Sequence, residues 1–434
     1  MIFDYALVIA LVFYIYIVIK RVKKYNYDTT KDYIYNLEKD FITTVELQNS
    51  SFRLSCDAYD TLFLKVEFSF NPISYFLKPY ITIQNQKHYF EYGTKGIRYL
   101  NLSGIDAGEV SMHLHHLSLK EKSLSLYGYK NSINLQEPLL ILAPHADDAE
   151  IAGFGLYKSA KNVTIVTTTI GEHGNCNYCD IYNQNKVKAT LKKAELRVID
   201  ALSVGLYGGI DIKDSLALGY FGGTLQWMRE NPDKDASSLR EGIEDRNKFR
   251  RVSHANITLP AVTRPNYKAF VDDLVLIISQ FKPANILTPH PAIDSHPDHK
   301  YTTYALLDAL KETKHRCNIV AYTNHLALSE SYPVGSMHAS ITLPPNFEEF
   351  YFDSIYSFNL EPDLQIDKFF ALEAIHDLRD SSIQISIKKA YKHLSRLITR
   401  VIKGKDKSYY RRAVRANELF FVIESENSDR LLEV

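Results

Sequence analysis

The sequence predicts an α/β protein: a doubly wound, mostly parallel sheet domain, preceded by a small all-β sandwich domain and an N-terminal membrane helix. Three observations favour this order. Apolar strands alternate with helical patterns from residue 133 onward, short strands separated by turn residues fill residues 50–132, and an apolar run covers residues 5–19. Alternating strands and helices are typical of parallel sheets covered by helices, whereas short, regularly spaced strands are typical of sandwiches.

Composition limits the classes of protein that fit. The chain has 434 residues, of which 45% are apolar and 24% charged, so it can bury a large core and form two or three domains. Its formal net charge is zero, and we therefore expect no nucleic-acid partner. Four cysteines are too few for a disulfide scaffold. The oligomeric state stays open.

The N-terminal residues 1–25 carry the membrane signal. The apolar run is just long enough to span a bilayer, and Lys20, Arg21, Lys23 and Lys24 follow it directly. Basic residues remain in the cytoplasm, so we expect a single anchor helix in a bacterial inner membrane with the rest of the chain cytoplasmic. A buried or interfacial helix is the open alternative. Residues 26–49 are interpreted as a linker.

Residues 133–434 show the alternation of a doubly wound, Rossmann-like sheet. Apolar strands are expected at 138–143, 162–169, 204–207, 284–289 and 317–323, and helices at 150–160, 186–203, 267–281 and 299–313. The polar stretch 208–266 is too long for an ordinary connection, so we interpret it as a substrate-shaping insert with short helices.

Polar clusters follow two of the predicted strands. The first strand runs into PHADDAE, which carries His145, Asp147 and Asp148, and the later strand ANILTPH runs into a stretch with several histidines and carboxylates. The second cluster comprises His290, Asp294, His296, Asp298 and His299. Because the carboxyl ends of parallel strands meet at one sheet edge, the clusters can face each other. Imidazoles and a carboxylate together favour zinc or another divalent first-row metal.

These two motifs resemble those of the LmbE-like or PIG-L deacetylases, which include N-acetylglucosaminyl-phosphatidylinositol de-N-acetylase. Members carry an HPDDE or HPDDxE turn after the first strand and an HPDH turn later; here the segments read HADDAE and HPDH. The resemblance covers roughly residues 138–424. It implies a zinc-dependent hydrolase that removes acetyl groups from amino sugars.

Residue types and the resemblance give the same roles. His145, Asp148 and His299 are expected to hold the metal, while Asp147 acts as general base. The resemblance implies that His296 assists the oxyanion or a neighbouring proton. Asp294 and Asp298 are expected to fix the imidazole tautomers. Glu172 and His376 match the family less closely, and we interpret them only as candidate substrate-binding positions. The alternative to a metal site is that the polar residues of these turns only cap the helices that follow.

Two departures from the motif bear on activity. Ala146 replaces the family's proline, and the acidic residue after the aspartates comes one place late, as Glu150 behind Ala149. One residue along a helix rotates a side chain by about 100°. The pair Cys176 and Cys179 is interpreted as reduced and non-catalytic, in a loop near the site.

The sequence therefore predicts a membrane-anchored zinc N-deacetylase that acts on an N-acetylated sugar or glycolipid. Two alternatives stay open. One is a non-catalytic glycan-binding or assembly protein with a degenerate site, and the other is a hydrolase of a non-sugar amide.

Overall fold

A computed structural model gives the architecture of most of the chain. It describes residues 11–432 except 13, 17, 20, 38–40, 56–58, 175, 262–263, 379–390, 392–393, 395–397 and 399–409. The basic stretch 385–407, whose apolar residues recur at helical spacing, falls almost entirely outside the described residues.

The first domain is a sandwich of two four-stranded antiparallel sheets. One sheet has the order β1-β8-β3-β6 and the other β2-β7-β4-β5. The strands are β1 Phe41–Glu46, β2 Ser51–Leu54, β3 Thr61–Phe68, β4 Tyr80–Ile83, β5 Gln86–Tyr89, β6 Gly96–Asn101, β7 Gly108–His115 and β8 Ser123–Tyr129. A 3₁₀ turn, Pro72–Tyr75, precedes β4.

Alternate residues of β3 face two different cores. Leu62 and Leu64 pack inside the sandwich, whereas Phe63 joins the core of the second domain together with Tyr127 of β8. This follows from the two-residue period of a strand, because successive side chains point to opposite faces. Strands β3 and β8 of the β1-β8-β3-β6 sheet are therefore buried on both faces, whereas the edge strand β1 exposes Ile42.

The segment predicted as a linker is packed structure. Within residues 26–49, β1 belongs to the sandwich, and Tyr33 and Leu37 are buried in the core shared by the two domains. The Tyr35 hydroxyl donates to the carbonyl of Pro344 at 2.7 Å. The sandwich thus begins before residue 50. The aromatic residues of this segment that precede β1 are buried or half-buried, whereas those of a free linker would be exposed.

The predicted membrane helix is described only from residue 11. The described residues between 11 and 22 are helical. Among the described residues, no helix is both long enough and apolar enough to cross a membrane.

The second domain is built on a seven-stranded sheet with the order β11-β10-β9-β12-β13-β15-β14. The first five strands in that order are parallel, and β15 runs antiparallel to β13 and β14. The strands are β9 Leu139–Ala143, β10 Val163–Thr169, β11 Ser215–Tyr220, β12 Asn285–Pro289, β13 Asn318–Tyr322, β14 Ser354–Asn359 and β15 Asn417–Glu424. The mostly parallel α/β sheet agrees with the prediction.

The helices begin at residues suited to capping. The side chains of Asn185 and Asn266 accept backbone N–H bonds at the starts of α2 and α4, and Pro297 begins α5. The helices are α1 Asp148–Ser159, α2 Lys186–Ser203, α3 Leu225–Glu230, α4 Tyr267–Phe281, α5 Pro297–Thr313, α6 Pro362–Ala374 and α7 Tyr410–Ala413.

One predicted strand was wrong. Residues 204–208 form a 3₁₀ turn that continues α2 and ends at Gly209, whose φ of 82° is left-handed. The third strand on that side of the sheet is β11, which lies inside the stretch predicted as an insert. The 208–266 stretch therefore supplies an edge strand of the sheet as well as the short helix α3.

The connectivity places a switch point between β9 and β12. From β9 the chain moves outward through β10 to β11, and from β12 it moves the other way to β13. Ligands of open α/β sheets bind in the crevice at such a point, beyond the carboxyl ends of the strands. The two polar turns follow these two adjacent strands.

Candidate active site

The turn after β9 brings three polar side chains to the start of α1. Asp147 is the residue before α1, and Asp148 is its first residue. The Asp148 carboxylate accepts the backbone N–H of His145 at 2.9 Å, which closes the turn. His145 and Asp148 are consequently held on the same side of the turn.

The turn after β12 is closed by its own side chains. Asp294 accepts the N–H of His296 at 3.0 Å, and His296 Nδ1 accepts the N–H of Asp298 at 3.2 Å. Pro297 follows as the first residue of α5, so His299 lies in the first turn of the helix and is buried. An imidazole thus caps this helix in place of the usual hydroxyl or carboxylate.

Three atoms from the two turns form a small triangle. His145 Nδ1 lies 3.2 Å from Asp148 Oδ2, His299 Nε2 lies 3.1 Å from the same oxygen, and the two nitrogens are 3.3 Å apart. A wider group also forms, in which ligand atoms of His145, His296 and His299 lie within 4.8 Å of one another. The triangle is the tighter of the two, and His296 has its Nδ1 occupied by a backbone donor.

Two further carboxylates hold the outer nitrogens of the imidazoles. His145 Nε2 lies 3.2 Å from Asp298 Oδ2, and His299 Nδ1 lies 3.2 Å from Asp294 Oδ2. A ring whose one nitrogen carries a proton toward a carboxylate presents the lone pair of the other. In its neutral form, each imidazole would therefore direct its acceptor nitrogen into the triangle.

The electrostatics of the site reflect this close arrangement of buried charges. Burial alone would lower the pKa of His299, but the Asp148 and Asp294 carboxylates raise it well above its usual value. The pKa of His145 is raised in the same way, against burial, by Asp148 and Asp298. Burial opposes ionisation of Asp148, yet His299 and His145 hold its pKa well below the usual range. The site thus concentrates negative charge, which protons on the imidazoles balance. A bound cation can balance this charge in place of those protons.

Comparison with known proteins relates the segment that contains this site to a family. Residues 140–310 match the family model PIG-L, described as GlcNAc-PI de-N-acetylase. This segment is therefore similar to the PIG-L family. The resemblance deduced from the HADDAE and HPDH turns is thereby confirmed.

Solved structures similar to the chain include several deacetylases. A teicoplanin deacetylase is 16% identical, with a TM-score of 0.34, over 67% of this chain and 99% of its own. An N,N'-diacetylchitobiose deacetylase from Pyrococcus horikoshii is 17% identical, with a TM-score of 0.31, over 67% and 85%. A 4-carboxy-2-hydroxymuconate hydratase from Pseudomonas putida is 11% identical, with a TM-score of 0.30, over 67% and 96%. Similarity this low transfers no substrate to this chain.

The search of curated proteins returned no match to the chain.

Asp147 of the second domain contacts a residue that the sequence did not indicate. Arg197 of α2 donates from Nη2 to Asp147 Oδ1 at 3.1 Å and from Nη1 to Asp377 at 2.6 Å. Burial disfavours the charged guanidinium, but Asp147 and Asp377 raise the pKa of Arg197. The arginine therefore stays charged and holds one oxygen of Asp147.

Asn324 and Gly223 also support the site, and neither was predicted from the sequence. Asn324 Nδ2 donates to Asp148 Oδ1 at 2.8 Å, and the Gly223 N–H donates to Asp298 Oδ2 at 2.8 Å. Asn324 follows β13, so the rule that sites gather at strand ends could have found it. Arg197 is a charged residue on the inward face of α2, beside buried Val198 and Ala201, which is a recognisable signal too.

Glu172 and His376, the looser candidates, have other partners. Glu172 is buried and accepts the Gly222 N–H at 2.8 Å and the Ser238 hydroxyl at 2.7 Å, so it ties the loop after β10 to the loop after β11. Burial raises the pKa of Glu172. His376 Nδ1 lies 2.6 Å from Asp200 on α2. Neither has a described contact with the triangle of His145, Asp148 and His299.

His290 and Glu150 turn away from the triangle. The His290 ring is buried against Phe350 and Phe421, and burial lowers its pKa to about 4. Glu150 is buried on α1 and accepts the Tyr157 hydroxyl at 3.2 Å. Burial raises the pKa of Glu150 to about 8. Glu150 comes one residue later than the acidic residue of the family motif, and its side chain is thus buried along α1.

The expectation of a reduced cysteine pair was wrong. Cys176 and Cys179 form a disulfide in the loop after β10. Asn177, between them, donates to Asp377 at 3.0 Å, the same carboxylate that binds Arg197. The close spacing in the turn lets the two sulfurs meet, which the sequence spacing allowed but did not require.

Proposed function

We propose that the protein is a zinc-dependent N-deacetylase that removes the acetyl group from an N-acetylglucosamine-type amino sugar in glycan or glycolipid biosynthesis. The observation that carries the proposal is the triangle of His145 Nδ1, Asp148 Oδ2 and His299 Nε2, whose edges are 3.1–3.3 Å. The similarity to the PIG-L family, whose description is a de-N-acetylase, supports the class of reaction and substrate.

The donor set suits zinc. Zinc binds imidazole nitrogen and carboxylate oxygen at about 2.0–2.2 Å, so ligand atoms of one ion lie about 3–3.5 Å apart. The triangle meets this spacing, and each imidazole has an acidic partner at its outer nitrogen, as is usual for zinc-binding histidines. We therefore assign the metal to His145, Asp148 and His299. A metal bound there supplies Lewis acidity, which lowers the pKa of water and polarises the acyl oxygen.

Asp147 is assigned the proton transfers. Arg197 occupies Oδ1, which leaves Oδ2 for exchange with the substrate. That oxygen takes a proton from the attacking water and returns it to the departing amine nitrogen, so that acetate and a free amine are released. Arg197 keeps the carboxylate charged and oriented during both transfers.

His296 is assigned the stabilisation of the acyl oxygen. Its Nδ1 accepts the backbone N–H of Asp298, so the neutral ring carries its proton on Nε2. Burial, and then the positive charges of His145 and His299, lower the pKa of His296 to about 4, which favours this neutral form. An Nε2–H donor aimed at the developing oxyanion is typically worth about 3 kcal/mol.

The experiment compares metal content with acetate release. We would measure zinc in the full chain and in His145→Ala, His299→Ala and Asp147→Asn, and assay acetate release from N-acetylglucosamine derivatives. About one zinc per chain, lost in both alanine variants, is expected. Asp147→Asn should keep the zinc and lose roughly 10²–10⁴ of the rate. The matched control is His113→Ala, an exposed histidine of the sandwich.

Other outcomes distinguish the alternatives. Zinc binding with no acetate release from any acetylated sugar would favour the non-catalytic glycan-binding or assembly protein. Release from simple acyl amides as fast as from sugars would favour an amidase without sugar preference. Absence of zinc from the wild-type chain after zinc is resupplied would refute the metal-binding residues proposed above.

A further inference from the structure

The helical segment before the sandwich exposes a broad apolar surface. Six large apolar side chains between residues 11 and 19 are 39–61% exposed, namely Leu11, Val12, Tyr14, Ile15, Tyr16 and Ile19. On a helix of 3.6 residues per turn these positions cover more than half of the circumference. An arc this wide exceeds the stripe with which a helix usually packs on a protein core.

The sandwich continues this apolar surface. Around its 3₁₀ turn, Phe70 is 63% exposed, Ile73 49% and Leu77 50%. Asn71 caps the turn by accepting the N–H of Ile73, and Ser74 is buried, so the turn points Ile73 outward. Exposed apolar groups that cluster in this way mark interaction sites more often than isolated ones do.

Direct contacts join the two parts. The rings of Tyr14 and Phe76 are 4.4 Å apart, and Arg21 donates to the carbonyl of Tyr75 at 3.2 Å and also to that of Phe76. The Arg21 guanidinium lies over the Tyr92 ring, 4.9 Å from its centroid. The helix is therefore seated on the sandwich beside the turn. We call the exposed residues Leu11, Val12, Ile15, Tyr16, Ile19, Phe70, Ile73 and Leu77 the N-terminal apolar patch.

Charge next to the patch indicates its partner. Lys23 and Lys24 are exposed at the end of the helix, and Lys78 follows Leu77. Asp28 is the acidic group that interacts with the nearby Tyr75. An apolar surface flanked by a net positive charge is suited to a bilayer with anionic headgroups, where lysines meet phosphates and apolar side chains enter the acyl boundary.

We propose that the N-terminal apolar patch seats the sandwich on an anionic lipid bilayer, with Phe70, Ile73 and Leu77 inserted beside the helix. This goes beyond an anchor helix and beyond the proposed chemistry, because it makes the β domain a membrane-contacting element. It would fix the orientation of the second domain, since the two domains share a core.

The test places a fluorophore in the patch of the full chain. Single variants Phe70→Cys, Ile73→Cys and Leu77→Cys would carry an environment-sensitive NBD label and be reconstituted with phosphatidylcholine vesicles containing one quarter phosphatidylglycerol. Nitroxide lipids labelled near the headgroup should quench these three positions several-fold more than a control label at Ile366→Cys. Ile366 is 48% exposed on α6 and so matches the patch in exposure. The unsubstituted chain, labelled in parallel, gives the background from native cysteines.

Two results would overturn the proposal. One is quenching at the three patch positions that does not exceed quenching at the Ile366 position. The other is a second copy of the chain as the occupant: a blue-shifted NBD emission without lipid, together with a sedimentation mass of two chains. The triple variant Phe70→Asp, Ile73→Asp, Leu77→Asp should remove lipid quenching of a label at Lys78→Cys while acetate release from a soluble substrate is unchanged.

Discussion

The turns after β9 and β12 both contribute to the triangle of His145, Asp148 and His299, but they are held in place differently. The β12 turn is closed mainly by its own residues, since Asp294 binds the N–H of His296 and His296 binds that of Asp298. The side chains of the β9 turn are positioned by partners from elsewhere. His145 is held by Asp298, Asp148 by Asn324 and Asp147 by Arg197.

The difference shows that side chains of one site can be positioned both by neighbours in sequence and by residues distant in sequence. The β12 turn combines its own bonds with bonds from Asp294 to the loop after β13. The β9 turn has one closing bond of its own, but its side chains need α2, α5 and the loop after β13 in place. We therefore expect the loss of Asp294 from the β12 turn to affect folding and metal binding together. Substitutions of the partners of the β9 turn should affect metal affinity or rate separately.

Asp294→Ala should have the largest effect, because it removes the centre of the β12 turn. Asp294 is 1% exposed and accepts the N–H groups of His296, Asn324 and His325. Leaving these donors unsatisfied should lower the free energy of unfolding by roughly 3–5 kcal/mol and abolish zinc binding. Urea unfolding and metal analysis would check this. Asp272→Ala, on the exposed side of α4, is the control; retention of zinc by Asp294→Ala would contradict local closure.

Asp298→Asn should weaken zinc binding while the fold persists. The amide oxygen can still accept the N–H of Gly223, but the charge that holds His145 Nε2 is lost. Loss of such a partner usually lowers metal affinity about 10–100-fold. Competitive titration with a zinc chelator would measure it. An affinity equal to that of the wild-type protein would mean that Asp298 does not orient His145.

Arg197→Gln should lower the rate and leave zinc in place. Without the guanidinium, Asp147 loses its 3.1 Å contact and its orientation. Because the carboxylate itself remains, we expect about a tenfold loss in kcat, smaller than the roughly 10²–10⁴ expected when the base is removed. Steady-state kinetics with metal analysis would test it, with Arg251→Gln as an exposed control. Equal zinc and an unchanged kcat would remove Arg197 from the mechanism.

Glu150→Gln should give the smallest effect, and one that depends on pH. Burial raises the pKa of Glu150 to about 8 in the folded protein, above the unfolded value. A raised pKa contributes stability below the unfolded pKa, and this contribution is lost as pH rises through the folded pKa. Glutamine does not titrate, so the melting temperature of the variant relative to wild type should be higher at about pH 8.5 than at about pH 5. The same difference at both pH values would contradict burial of an uncharged Glu150.

Much of the central sheet and both polar turns could be predicted from the sequence. The strand at 139–143 and the helices at 186–203 and 267–281 have apolar patterns and asparagine caps that local physics determines. The HADDAE and HPDH turns each lie at a strand's carboxyl end, so strand order alone brings His145 and His299 together.

The remaining features depend on contacts distant in sequence. Residues 204–207 have the apolar content of a strand, but the turn at Gly209 ends α2 there and leaves β11 to complete the sheet. Arg197 and Asn324 lie 50 and 176 residues from the aspartates they contact. The packed segment around Tyr35 resembled a linker because its partners, such as Pro344, come 309 residues later in the chain.

The burial of β3 and β8 on both faces of the β1-β8-β3-β6 sheet has a consequence for the unfolding of the whole molecule. Phe63 and Tyr127 belong to the same core as Ile355 and Phe421 of the second domain, so separating the domains would expose an aromatic interior to water. We expect calorimetry to record one cooperative transition that spans both domains. The sandwich is then part of one cooperative unit and not a detachable module, and residues 133–434 expressed alone should aggregate.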